Sequence, residues 1–204
     1  MELMIVVLMS YLLGTSSMSY YLAKLNQVDI RNKGSKNLGA SNAMLLMGWK
    51  AGILVAVHDA GKALLAVVLA RVLFPQVAYG AEIAGVASVV GHVFPFWLKF
   101  KGGKGLASFI GMALGLNVWA GIGLIVLLFV VMLVTDYIVL GTVSVIVGLP
   151  LIMAFGLHNP TGALVVLIAT ALIGWKHREN YVRIYNGTEI GFRKANKGDY
   201  REKK

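Results

Sequence analysis

The segment that decides the fold is VWAGIGLIVLLFVVMLVT, residues 118–135, which contains no charged side chain. A transmembrane helix needs roughly 20 predominantly apolar residues, and segments of about 17–25 are long enough. Comparable apolar stretches lie on both sides of it, at 3–23, 51–74, 77–98, 106–117, 138–156 and 161–175. The pattern predicts an all-α integral membrane protein with about seven transmembrane helices. Counts of five or six stay open, because 106–117 is short and fits a tilted, re-entrant or half-length helix.

The composition agrees with a single polytopic membrane domain over residues 1–204. Hydrophobic residues make up 58% of the chain and charged residues 14%, with a mean hydropathy of +0.75, whereas soluble domains are about 45–50% apolar and about 25% charged. The absence of cysteine excludes a disulfide framework, a thiolate nucleophile and a cysteine metal site. The four histidines are scattered, so we expect neither a metal site nor a cofactor.

The basic residues predict the orientation of the chain in the cell inner (plasma) membrane. Of the 19 Lys and Arg residues, 17 fall within 24–50, 99–104 and 176–204, and such an excess marks cytoplasmic loops. The chain begins Met1-Glu2-Leu3, without the basic start of a signal peptide, so we expect a retained first helix with its N-terminus outside. The C-terminus then lies in the cytoplasm, where 176–204 forms a basic tail near anionic membrane lipids. Nucleic-acid binding is not expected.

Three polar segments fall on this cytoplasmic side. Residues 34–42 (GSKNLGASN) offer hydroxyl and amide groups between glycines, which suits a polyhydroxylated or anionic ligand but also fits a plain turn. Residues 99–105 (KFKGGKG) precede an apolar helix, so backbone N–H groups and Lys104 can converge on an anion; a tight basic hairpin is the alternative. Residues 176–183 (KHRENYVR) place His177 and Asn180 on one helix face if they are helical, although basic residues there also serve as topology anchors.

A fourth feature lies inside the second apolar stretch. Asp59 and Lys62 are three residues apart, so they share a helix face and can pair. A charge at the bilayer centre costs about 2.5–3.5 kcal/mol, which favours a functional role over a structural ion pair near the interface.

In this order, the four segments resemble the signatures of the acyl-phosphate:glycerol-3-phosphate acyltransferase family of bacterial integral-membrane enzymes. The most specific match is GHVFPFWLKFKGGKG at 91–105, and KHREN at 176–180 is similar to the family's C-terminal signature. Further matching positions are Ser35, Asn37, Gly39, Ala40, Asn42, Asp59, Lys62, Arg183, Gly187 and Glu189. The resemblance spans essentially the whole chain.

The resemblance implies acyl transfer from acyl phosphate to the 1-hydroxyl of glycerol 3-phosphate, giving lysophosphatidic acid and phosphate in the first step of phospholipid synthesis. It implies Lys104, His92 and Ser35 as catalytic residues. The implied substrate-binding residues are Ser35, Asn37, Ser41, Asn42, Lys62, Gly102, Gly103, Lys104, His177 and Asn180, with Asp59 in support. His92 either takes the hydroxyl proton or is a structural hydrogen-bonding residue. In the second case the leaving phosphate takes the hydroxyl proton.

Five positions depart from the family pattern. Lys36 and Ala63 replace Gly, Leu45 and Asp136 replace Arg, and Val139 replaces Ser. Two arginines are thus missing from an anion site, although Lys36 restores one charge. These departures leave an alternative open, in which the chain is a divergent non-catalytic paralogue or a carrier that binds organic phosphates in the membrane.

Overall fold

The computed structural model describes residues 1–193, which form helices and loops and contain no β-strand. The part of the predicted basic tail at 194–204 lies outside these described residues. The α-helices are α1 (Glu2–Thr15), α2 (Met18–Leu25), α3 (Ala40–Met47), α4 (Trp49–Leu73), α5 (Gly80–Val93), α6 (Leu106–Leu116), α7 (Val118–Thr135), α8 (Ile138–Leu151), α9 (Pro160–Lys176) and α10 (Arg178–Tyr185). A 3₁₀ turn (Phe96–Leu98) follows α5, and a π-helical turn (Ile152–Gly156) extends α8.

All seven predicted apolar stretches are helical, which confirms the all-α membrane fold. The segments long and apolar enough to cross a membrane are Glu2–Leu25, Trp49–Leu73, Gly80–Leu98, Val118–Thr135 and Ile138–Gly156. The pair α9 and α10 is a further candidate, with a bend of 49° between them. The predicted short helix is confirmed as α6, whose 11 residues extend about 16 Å at 1.5 Å per residue. Seven crossings stay a prediction, because α6 is too short to span alone.

Helix α5 lies at the centre of the bundle and contacts α1, α4, α6 and α9. Close helix crossings are made by glycines: a Cβ at Gly14 would lie 2.1 Å from the Ser88 carbonyl oxygen, and one at Gly111 would lie 1.9 Å from that of Ala60. Small residues of this kind let transmembrane helices approach closely. The largest fully buried side chains of the main core cluster are Phe109, Met112, Leu124, Leu149, Met153 and Ile173.

Helix α7 is different, because most of its apolar side chains point away from the protein. Val126, Phe129 and Leu133 are each more than half exposed. In a membrane protein such a surface faces lipid tails, so most of this helix contacts lipid rather than the protein core.

The polar segments collect at one end of the bundle, which we call the motif end. It consists of residues 26–39, residues 94–105 and residues 177–193, which follow α2, α5 and α9. At the opposite end the Arg71 guanidinium donates to the carbonyls of Gly115 and Leu116 over 2.7 Å each, which caps the C-terminus of α6. This arrangement follows from helices that alternate in direction along the chain.

Candidate active site

The loop at 99–105 packs against the loop at 34–42 through Gly103. A Cβ on Gly103 would lie 2.1 Å from Nε2 of His92 and 2.7 Å from the Leu38 carbonyl oxygen. Only glycine fits between these groups without moving one of them. Two of the predicted polar segments therefore meet at the motif end.

Asn42 organises the first loop. Its Nδ2 donates to the carbonyls of Ile30 (3.0 Å), Asn37 (3.0 Å) and Lys33 (3.3 Å), while its Oδ1 accepts from the Ser35 amide over 2.9 Å. The side chain is 1% exposed. The sequence predicted Asn42 as a substrate-binding residue, but its amide is fully engaged with the backbone, so its role in this structure is to shape the loop.

The other predicted residues of this loop lie at its surface. Ser35 and Ser41 are exposed and Asn37 is half-buried. Ser41 lies in the first turn of α3, whose N-cap is Gly39. The loop that Asn42 fixes therefore presents two hydroxyl groups and one amide at the motif end.

Lys104 connects the glycine loop to the C-terminal helix. Its Nζ donates to Oδ1 of Asn180, and Nδ2 of Asn180 donates to Glu189 over 2.7 Å. Nε of Arg183 donates to the second carboxylate oxygen of Glu189 over 2.6 Å. We call these four residues the Lys104 chain. It joins Lys104 and Asn180, both predicted as substrate-binding residues, whereas Glu189 was part of a recognised signature without an assigned role.

The Lys104 chain leaves capacity for an anion. Among residues 1–193, Lys104 makes one side-chain hydrogen bond, and an ammonium group has three donors. Burial and the nearby Arg183 guanidinium lower the pKa of Lys104 from its usual 10.5. A phosphate placed beside it would offset both effects and raise that pKa again.

His177 is neutral at physiological pH. It lies between α9 and α10, is buried, and its Nδ1 is 2.8 Å from the Ile173 carbonyl oxygen. Burial, with a smaller effect of Lys104, lowers the pKa of His177 to about 4. Because a carbonyl only accepts, Nδ1 carries the proton and Nε2 keeps a lone pair that can accept a hydrogen bond.

The amides of Gly102 and Gly103, which we predicted as phosphate ligands, are hydrogen-bonded to backbone carbonyls. The Gly102 N–H donates to the Val93 carbonyl over 3.0 Å, and the Gly103 N–H donates to the His92 carbonyl over 3.2 Å. Both donors therefore hold the loop against the end of α5. A contact of these amides with phosphate stays a prediction and would require both bonds to open.

Lys62 and His92 belong to a buried network beneath the loops. The ammonium of Lys62 donates to the Ser16 carbonyl (2.6 Å), to Oδ1 of Asp59 (3.0 Å) and to Nδ1 of His92 (2.9 Å). Nδ1 of His58 lies 3.3 Å from the same carboxylate oxygen. We call these five residues the Lys62 network. All three donors of Lys62 are used, which argues against its predicted contact with substrate.

The Lys62 network also bears on two other predictions. The His92 side chain is 6% exposed and its Nδ1 already accepts from Lys62, which argues against a role as the base. Asp59 supports Lys62 as expected. Within residues 1–193 no group of three or more His, Asp or Glu side chains is arranged to hold a metal ion.

Comparisons with known proteins give one consistent result. The family described as glycerol-3-phosphate acyltransferase matches residues 4–187. A glycerol-3-phosphate acyltransferase of Trichlorobacter lovleyi is 38% identical over 184 residues, 90% of this chain and 94% of that protein. Its counterpart in Coxiella burnetii is 38% identical over 192 residues, 93% of this chain and 97% of that protein.

Two solved structures share the fold. The crystal structure of PlsY (YgiH), an integral membrane glycerol 3-phosphate acyltransferase, in its glycerol 3-phosphate form has a TM-score of 0.88 and 31% identity, and the match covers 93% of this chain and 95% of that one. The lysophosphatidic acid form has a TM-score of 0.86 and 29% identity, with 95% and 97% covered.

Proposed function

Because the chain belongs to the glycerol-3-phosphate acyltransferase family, we propose that it takes its acyl group from an acyl phosphate and does so at the motif end. The enzyme transfers an acyl group to glycerol 3-phosphate and forms lysophosphatidic acid. The observation that carries the proposed site is the hydrogen bond between Lys104 and Asn180. It joins the glycine loop to α10, next to the loop that presents Ser35 and Asn37.

The chemistry of the motif end favours an acyl phosphate donor. An acyl phosphate is a mixed anhydride with a good leaving group, so the reaction needs no covalent enzyme intermediate. The chain has no cysteine, and the site offers cations and hydrogen-bond donors. Catalysis then rests on holding the two substrates in line and on stabilising negative charge as it develops.

The substrates divide the site between them. Lys104 binds the phosphate of the acyl donor and stabilises it as it leaves, while Asn180 orients the ammonium group. Ser35, Asn37 and Ser41 bind glycerol 3-phosphate from the opposite loop. His177 accepts a hydrogen bond from the 2-hydroxyl of glycerol 3-phosphate through Nε2, and the acyl chain lies between the helices among membrane lipids.

The leaving phosphate takes the proton of the 1-hydroxyl. A general base works best when its pKa lies near the operating pH. The pKa of His177 is about 4, whereas the second ionisation of a phosphate monoester has a pKa of about 6. The hydroxyl oxygen forms a bond to the acyl carbon, the bond from that carbon to the phosphate oxygen breaks, and the phosphate departs with the proton. His177 then orients glycerol 3-phosphate through its 2-hydroxyl, and His92 stays outside the reaction.

The distribution of Lys and Arg residues between the two ends of the bundle supports a cytoplasmic site. The motif end contains Lys33, Lys36, Lys99, Lys101 and Lys104, while Arg71 lies at the opposite end. Positive residues concentrate on the cytoplasmic side of inner-membrane proteins. The N-terminus is then outside. Glycerol 3-phosphate enters from the cytoplasm, and the released phosphate leaves to it.

A donor-comparison assay tests this proposal. Purified protein in detergent is incubated with glycerol 3-phosphate and either an acyl phosphate or an acyl thioester, and lysophosphatidic acid and phosphate are quantified. We expect turnover with the acyl phosphate alone. Equal rates with acyl thioesters would overturn the donor assignment. Glycerol 3-phosphate binding without transfer from either donor would support the non-catalytic alternative.

A further inference from the structure

The first transmembrane segment is broken beneath the motif end, and two side chains bind its free carbonyls. Ser16 and Ser17 interrupt the helix between α1 and α2. The ammonium of Lys62 donates to the Ser16 carbonyl over 2.6 Å, and Nε1 of Trp97 donates to the Thr15 carbonyl over 3.0 Å. In a membrane, backbone groups left without a helical partner need such donors. Lys62 therefore stabilises the break itself.

The same ammonium group fixes the ring of His92. Lys62 reaches Nδ1 of His92 over 2.9 Å and Oδ1 of Asp59 over 3.0 Å, and the side chains of Lys62 and Asp59 are 5% and 3% exposed. A buried lysine with three hydrogen bonds has no freedom to move without leaving a donor unpaired, which is costly in the interior. The ring of His92 is thereby held at one position.

His92 in turn contacts the loop that carries Lys104. Its carbonyl accepts the Gly103 N–H over 3.2 Å, and a Cβ on Gly103 would lie 2.1 Å from Nε2 of its ring. Gly103 directly precedes Lys104 in the chain. A displaced His92 ring would therefore displace the backbone from which the Lys104 side chain begins.

We propose that Lys62 is a positioning residue of the acyl transfer: its ammonium group holds the helix break and the His92 ring in register, and His92 sets the position of Lys104. This inference rests on the proposed function of Lys104. It assigns the buried ion pair a role in the reaction without any contact with substrate.

The first test separates positioning from charge balance. Lys62→Met keeps the side-chain length and removes the three donors, but it leaves Asp59 uncompensated, and such a variant can fail to fold. The double variant Asp59→Asn/Lys62→Met removes both charges. We expect it to fold with a lowered thermal midpoint, because the Ser16 carbonyl loses its donor, and to lose about 100-fold in kcat/KM, as a shift of about 1 Å in a catalytic group does. Part of the loss appears as a higher KM, which a smaller folded fraction would not produce.

Hydrogen exchange tests the same inference without turnover. The Gly102 and Gly103 amides are bonded to α5, so their exchange should accelerate in the double variant while peptides from α7 and α8 keep their wild-type rates. Uniform acceleration throughout the protein, or wild-type kcat/KM in the double variant, would overturn the positioning role. If the wild-type protein transfers no acyl group, the proposed function is refuted. The hydrogen-exchange result then decides by itself whether Lys62 controls the position of the loop.

His92 variants supply the second test. In His92→Asn the side-chain oxygen replaces Nδ1 and still accepts from Lys62, whereas His92→Leu removes the acceptor. We expect His92→Asn to retain most of the activity that His92→Leu loses, and equal losses would contradict the inference. Glu82→Gln is the matched control, since Glu82 is a buried carboxylate of the same helix bonded to Asn159 and lies about 15 Å away along α5. Its kcat/KM should equal that of the wild type.

Discussion

Lys62 is buried and Lys104 is half-buried, and the two lysines differ in how many of their hydrogen-bond donors are used. Lys62 has three hydrogen-bond acceptors around its ammonium group, namely Ser16, Asp59 and His92. Lys104 has one within the described residues, Asn180. Both lysines lie in signatures of the same family, yet only Lys104 has donors to offer a substrate phosphate.

The comparison teaches that the number of hydrogen-bond donors already in use, rather than charge, separates a positioning residue from a ligand-binding one. The Lys62 network is closed at its lysine, because all three donors of the ammonium group have acceptors inside the protein. The Lys104 chain is open at its lysine end and closed at its carboxylate end, where Glu189 accepts from both Asn180 and Arg183. An open chain can bind an anion without breaking existing bonds, which keeps the cost of binding low.

The largest effect is expected from removing the ammonium group of Lys104. Lys104→Ala deletes the group that we place on the leaving phosphate, so kcat/KM should fall about 1,000-fold, the upper range for loss of one charge-stabilising donor. The thermal midpoint should change little, because Lys104 is half-buried and makes one side-chain bond. Initial rates with acyl phosphate and a melting curve check both expectations. An activity loss smaller than that of the Asp59→Asn/Lys62→Met double variant would reverse the comparison.

The next largest effect is expected from a substitution that forces the loop at 99–105 away from His92 and from the loop at 34–42. Gly103→Ala places a methyl group 2.1 Å from the His92 ring and 2.7 Å from the Leu38 carbonyl. We expect a cost of about 1–3 kcal/mol in stability, as overpacking produces, and about a 100-fold loss of kcat/KM through the shifted Lys104.

Gly123→Ala is the control for that substitution. Gly123 lies within α7, and a Cβ there meets no atom within 4 Å. Alanine in a helix interior is favoured over glycine by about 0.5–1 kcal/mol, so this variant should be slightly stabilised and fully active. If the two alanine variants lost activity equally, Gly103 would have no special role at the contact between the loops.

Hydropathy predicted most of the fold, because membrane insertion depends on local composition. Each apolar stretch is helical, and the shortness of α6 followed directly from the length of 106–117. The bend between α9 and α10 and the break at Ser16 were not predicted. The free carbonyls at the break bind partners far away in the sequence, Lys62 and Trp97, and no local pattern encodes those contacts.

The candidate site shows the same limit. The sequence identified Lys62, Asn42 and Lys104 as polar residues in recognisable segments, but it gave no measure of which donors the protein itself consumes. Asn42 binds four backbone groups and Lys62 three acceptors, so both are structural or positioning residues. Glu189 received no role, because a single acid in a basic segment carries little signal until its contacts with Asn180 and Arg183 are known.

The pH dependence of the reaction tests the charge states in the Lys104 chain. The pKa of Lys104 lies below its usual 10.5 because of burial and Arg183, so activity should decline as pH rises through that lowered value and Lys104 loses its proton. Arginine stays protonated above pH 12, so Lys104→Arg, at a lower overall rate, should move this alkaline decline to higher pH. Profiles of kcat/KM for both proteins measure the shift. The substrate phosphates ionise at about pH 6 with either protein, so they do not contribute to a difference on the alkaline side. An unchanged alkaline decline in Lys104→Arg would show that Lys104 does not act in the transfer step.

The acid side of that profile reports on His177. Burial lowers its pKa to about 4, so the ring stays neutral, and Nε2 stays an acceptor, until the pH falls close to that value. NMR titration of a protein labelled at histidine should show no protonation of His177 between pH 8 and about 5, well past the usual pKa of about 6.5. A midpoint near 6.5 would mean that the ring is solvated and would weaken its assignment as the aligning group.

The smallest effect concerns Lys36, which replaces the Gly expected at that position. Its φ is +57°, a left-handed conformation that costs a residue with a side chain roughly 1–2 kcal/mol, so Lys36→Gly should stabilise the loop by up to about 1 kcal/mol. The lost charge acts in the opposite direction on substrate binding and should raise KM for glycerol 3-phosphate about twofold at low salt, with less effect at high salt. Lys36→Ala separates the two contributions, because it removes the charge and keeps the backbone cost. If the alanine variant left KM unchanged at low salt, Lys36 would not compensate for the arginine that Leu45 replaces, and the glycerol 3-phosphate site would depend on Ser35, Asn37 and Ser41 alone.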